Sequence, residues 1–81
     1  MNLDDAAFLK DLGRRIRERR LARGLTQAQL GDHCELHRTF IGSVERGERN
    51  LSILNLRLIA RVLRTPLAEL FAIGPGPERP N

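Results

Sequence analysis

With 81 residues, 41% of them hydrophobic and 30% charged, the chain has room for one small core and none for a second domain or a large enclosed active site. Its net charge is +4, and all but one of its 14 basic residues are arginine, whose guanidinium forks onto phosphates and guanine edges; an anionic partner suits this surface. The single cysteine excludes an intrachain disulfide, and the acidic start MNLDDAAFLK is neither a signal peptide nor a membrane span, so a cytoplasmic protein is expected.

Asp4 or Asp5 is placed to cap a first helix whose apolar residues Leu9, Leu12 and Ile16, joined by Phe8, form one stripe at three- and four-residue spacing. Gly24 stops it, with Leu25 positioned to fold back. Thr26-Gln27-Ala28-Gln29 has the capping-box pattern and opens a second, short helix ending near Cys34. After a turn at 35–37, a third helix runs from about His37 or Arg38 to Arg46, with Ile41 and Val44 inward, and Gly47 ends it. Ser52 caps a fourth helix reaching about Leu63. Thr65 and Pro66 form a cap and first-turn proline for a fifth, Leu67 to Phe71. Residues 1–73 are expected to form one helical domain, and the Pro/Gly-rich stretch 74–81 a disordered tail. No strand pattern occurs, and the fold class is all-α.

Two helices of about eight residues joined by a three-residue turn and framed by longer helices make a helix-turn-helix. The residues say more. Arg23-Gly24-Leu25-Thr26-Gln27-Ala28-Gln29-Leu30, Leu36-His37-Arg38-Thr39-Phe40-Ile41 and Val44-Glu45-Arg46-Gly47-Glu48-Arg49-Asn50-Leu51-Ser52 resemble the phage repressor and Cro type of helix-turn-helix regulators, also called XRE-like. The run from His37 to Asn50 looks most like the controller proteins of restriction-modification systems. The resemblance spans roughly Leu12 to Phe71 and implies a five-helix lambda-repressor-like domain that binds double-stranded DNA as a homodimer on a palindromic operator.

In that setting the third helix enters the major groove. Arg38, Thr39 and Ser43 are the expected base contacts, since residues near the N-terminus of a recognition helix and one turn on reach base edges. Arg38 can bond guanine O6 and N7 together, and Thr39 offers a hydroxyl and a methyl. Gln27 matches the family position at the start of the second helix, so the resemblance implies that it and the free backbone N–H groups clasp a phosphate. The resemblance adds Arg46, Arg49 and Asn50 as further backbone contacts, and His37 is read as a cap or a backbone contact. Gly42 has no side chain to read a base.

Arg20 falls on the apolar stripe when one steps by four from Phe8, and a buried charge demands a partner. The resemblance supplies Glu45. Two departures from the family pattern stand out: Glu35 occupies a turn position usually held by a small residue and has to enter the left-handed region, and Gly31 stands where Ala is usual. In the fourth helix, Leu56, Ile59 and Leu63 make one apolar line and Leu54, Leu58 and Val62 another, an arc wider than one small core needs. Leu54, Leu58 and Val62 are therefore an expected dimer face, which Leu67 and Phe71 of the fifth helix extend as in the controller proteins that the chain resembles.

His33-Cys34-Glu35-Leu36-His37 lacks a second ligand cluster, so no metal is expected and Cys34 is read as a core residue. No glycine-rich phosphate loop or nucleophile elbow indicates an enzyme, and no cofactor or small-molecule ligand is indicated. Two alternatives carry the same fold: an antitoxin that also binds its operator, and the DNA-binding part of a longer regulator.

Overall fold

The computed structural model describes residues 2–71. It contains five helices, α1 (Leu3–Ala22), α2 (Gln27–Cys34), α3 (Arg38–Glu45), α4 (Ile53–Val62) and α5 (Leu67–Phe71), and no strand among the described residues. Residues 1, 72 and 73 of the expected domain, and the expected tail, lie outside them. Each helix contributes one fully buried aliphatic side chain, Ile16, Leu30, Ile41, Ile59 and Leu70 in chain order. Burying a side chain of this size is worth about 1.5–3 kcal/mol, so none of the short helices is held by its own propensity alone. Leu12, Cys34, Val44, Leu56, Ala60 and Leu63 complete the core. Burial pushes the Cys34 thiol pKa up, which keeps it a neutral, inert packing group.

The caps explain where the helices stop. Asn2, not Asp4 or Asp5, caps α1: its Oδ1 accepts from the Asp5 N–H at 2.8 Å, because the helix begins two or three residues earlier than the acidic pair suggests. At the other end Gly24, at φ 72°, lets the Leu25 N–H reach back to the Arg20 carbonyl, and Gly47, at φ 75°, does the same for Glu48 and Ser43. Thr26 and Gln29 bond reciprocally as the capping box requires. Thr65 does not cap α5. Its hydroxyl donates back to the Leu63 carbonyl at 3.2 Å, because the chain turns there through Arg64 at φ 55°.

Two glycines mark close approaches instead. A Cβ on Gly13 would stand 2.4 Å from the Val44 carbonyl oxygen, so α1 and α3 cross at backbone distance only because position 13 is bare. A Cβ on Gly31 would stand 2.4 Å from the Leu36 oxygen, which gives this departure from the family pattern a reason: the Glu35 turn folds back onto α2. Glu35 adopts φ 58° as expected. Glu35→Gly should accordingly raise stability by about 1 kcal/mol, since glycine enters the left-handed region without the Cβ penalty. Chemical denaturation checks it; a loss of stability would mean that the Glu35 side chain itself holds the turn.

Candidate nucleic-acid interface

α2 and α3 are two eight-residue helices joined through Glu35, Leu36 and His37, and α3 is presented by what lies behind it. Arg20, on α1, is 6% exposed and meets Glu45 at the C-terminal end of α3 through two bonds, Nε to Oε2 at 2.6 Å and Nη2 to Oε1 at 3.0 Å. Its remaining Nη1 donates to the Leu25 carbonyl at 2.8 Å. The expected pair is therefore formed, bidentate and buried. Glu45 Oε1 also accepts from Gln27 Nε2 at 3.0 Å. One carboxylate thus ties α1, α2 and α3 together directly behind the turn, fixing how α3 is tilted relative to α2.

The outward side of α3 is narrower than the sequence suggests. His37, Arg38 and Thr39 are exposed, Phe40 is half-buried, and Ile41 through Glu45 are buried. His37 caps the helix: its Nδ1 accepts from the Thr39 N–H at 3.0 Å. The expectation that Ser43 is exposed is corrected. Its hydroxyl donates to the Phe40 carbonyl at 2.8 Å and accepts from Arg49 Nε at 3.3 Å, and the residue is 9% exposed. Helical spacing puts Ser43 one turn beyond Thr39, but it cannot foresee that Arg49 returns from the following loop and lies across it. The Arg49 guanidinium stands 5.3 Å over the Phe40 ring, a cation–π arrangement that holds an exposed arginine beside α3.

Around this helix the expected phosphate contacts divide. Gln27 is half-buried and gives one of its two amide hydrogens to Glu45; the other, with the backbone N–H groups of Gln27 and Ala28 left over by the capping box, can still meet an anion. Gly42 lies under Gln27 and Arg46: a Cβ there would come within 3.3 Å of Gln27 Oε1 and 3.2 Å of Arg46 Nη1. Arg46 is exposed and pairs with Glu48 at 3.1 Å. Asn50 is exposed too, but it faces α1 and lines a groove with Asp5, Phe8 and Leu9, whereas Gln27 and Arg46 lie over Gly42 and Arg49 lies over Phe40.

On the remaining side, α4 buries Leu56 and Ile59, and Leu63 follows them into the core, while Leu54 is 68% exposed and Leu58 and Val62 are half-buried. Leu67 is half-buried and Phe71 is 43% exposed. Phe8, read as part of the buried stripe, is instead 45% exposed and stacks on Phe71 with ring centroids 6.4 Å apart. The α1 stripe turns away from the core before reaching it. Ile53, at 60% exposure, extends the apolar surface and has no counterpart in the sequence reading, because a helix's first residue lies outside the periodic lines. Gly13 and Phe40 were also missed. A glycine in mid-helix is the signal that could have found the first.

Residues 16–70 match the HTH_3 (helix-turn-helix) family. The control protein C.SmaI of Serratia marcescens is 42% identical over 60 residues, which cover 74% of this chain and 71% of that protein. The crystal structure of the restriction-modification controller protein C.AhdI from Aeromonas hydrophila superposes with a TM-score of 0.80 at 43% identity, covering 84% of this chain and 99% of that one. The wild-type restriction-modification controller protein C.Esp1396I gives a TM-score of 0.71 at 36% identity, covering 79% and 82%.

Proposed function

This chain belongs to the helix-turn-helix family of DNA-binding transcription regulators, and from that membership we propose that it is a restriction-modification controller that binds a palindromic operator as a homodimer. The observation that carries the reading is the exposed N-terminal turn of α3, where Arg38 and Thr39 point outward from a helix locked at its other end by the buried Arg20–Glu45 pair. Arg38 and Thr39 read bases. Gln27, with its adjoining backbone N–H groups, and Arg46 and Arg49 grip the flanking phosphates; His37 adds a contact where it caps α3, and Asn50 a peripheral one. Among the described residues no helix is long and apolar enough to cross a membrane, and the protein acts where the DNA is, in the cytoplasm.

The dimer forms through α4 and α5, with Leu54, Ile53 and Phe71 as its most exposed apolar side chains and Leu58, Val62 and Leu67 behind them. Selection of binding sites from random duplexes should return an imperfect palindrome whose half-site centres lie about one helical turn, roughly 34 Å, apart, because a two-fold protein offers both recognition helices to one face of the duplex. Leu54→Asp should shift the protein to monomer in sedimentation with its fold intact, since Leu54 has little of itself in the core. A wild type that remains monomeric at every accessible concentration, or selected sites without two-fold symmetry, would remove this reading.

A further inference from the structure

We propose that the dimer face continues from α4 and α5 onto the first two turns of α1, and that Asp4 and Asp5 there receive Arg57 and Arg61 of the partner subunit. The proposal rests on the homodimer reading and extends it to a surface and a charge pattern. Area is the first argument. A stable interface buries about 800 Å² and some 20–30 residues on each side. Of the six side chains on the α4–α5 face, three are already half-buried in their own core, so that face alone is small.

The apolar surface does not end there. Phe71 stacks on Phe8, which carries it from α5 to α1, and Phe8 lines a groove of about 270 Å³ with Leu9, Asp5 and Asn50. Asn50 lies three residues before α4, so the groove joins the start of α4 to the start of α1, with Ile53 exposed at 60% on the α4 side.

Charge supplies the occupant. α4 contains no acidic residue, and the exposed Arg57 and Arg61 make no ion pair among the described residues. Asp4 and Asp5 are exposed and likewise unpaired among them, whereas Asp11, Glu18, Glu45, Glu48 and Glu69 are each bound to an arginine. Asp32 and Glu35 sit at the end of α2, beside the base-reading turn. A two-fold contact brings the acidic end of each copy to the basic helix of the other, twice per dimer. A purely local role exists for Asp4 and Asp5, because carboxylates favour a helix N-terminus. The test has to separate the two.

Two charge-reversed proteins do so. Asp4→Lys with Asp5→Lys makes both faces basic; Arg57→Glu with Arg61→Glu makes both acidic. Each should dimerise about tenfold more weakly than wild type, and an equimolar mixture should form a heterodimer of near wild-type affinity, since each acidic face then meets a basic one. Helix-dipole effects cannot be restored by mixing. The wild-type dimer should also loosen as salt rises, a measurement that needs no variant to fold. A wild-type dimer whose affinity ignores both reversals and salt would overturn the α1 extension and leave the α4–α5 dimer standing. A wild type with no dimer at all would instead remove the reading beneath it.

Discussion

Arg20→Ala is expected to destabilise the protein by about 3–5 kcal/mol, because it leaves the Glu45 carboxylate buried with only Gln27 to satisfy it. The loss has three parts that the geometry separates. The bidentate pair disappears, the Leu25 carbonyl loses the Nη1 donor, and the side chain that filled the space between α1 and α3 is gone. Stability of a domain this size is about 5–15 kcal/mol in total, so the variant should be largely unfolded on mild heating. Replacing both partners with apolar residues of similar volume should recover much of the loss, since a buried pair contributes less than either partner costs when orphaned. A double-mutant cycle from denaturation curves checks it. Additive losses would mean that the two residues are uncoupled and that α3 is held by packing alone.

The same pair shows how far the sequence could be read. A charge on an apolar stripe announces its own burial, and the need for a partner follows from electrostatics; which carboxylate answers came from the resemblance. The caps at Thr26, Gly24, Gly47 and Ser52 were legible because each depends on residues within five positions of one another. What was not legible depends on chain segments that meet from a distance. Ser43 looked outward on a helical wheel, and only the returning loop brings Arg49 over it. Phe8 fitted the α1 stripe, and only the position of α5 shows that it faces Phe71 instead. Gly31 looked like a weakness until the turn beyond it was seen to fold against its bare Cα.

How base reading and backbone grip divide between two arginines follows from where each is anchored. Arg38 is exposed at the first position of α3 and makes no ion pair among the described residues, so its guanidinium is free to turn into the groove. Arg38→Ala should therefore weaken operator binding by about 1–3 kcal/mol, the value of a bidentate contact to guanine, while random-sequence duplexes lose much less. Arg49 is held differently, over Phe40 and against Ser43, beyond the C-terminal end of α3. That anchorage commits its guanidinium to Phe40 and Ser43, whereas the guanidinium of Arg38 is left unpaired among the described residues. Arg49→Ala should weaken operator and random DNA alike and lower the slope of log affinity against log salt by about one unit, because one phosphate contact fewer releases one counterion fewer. Titrations of both variants on operator and scrambled duplexes at several salt concentrations distinguish the roles. Equal losses for Arg38→Ala on the two duplexes would make it a phosphate contact and leave Thr39 alone at the base edges. An Arg49→Ala effect confined to the operator would place that arginine in the groove, and Ser43 would then matter as the hydroxyl that aims it.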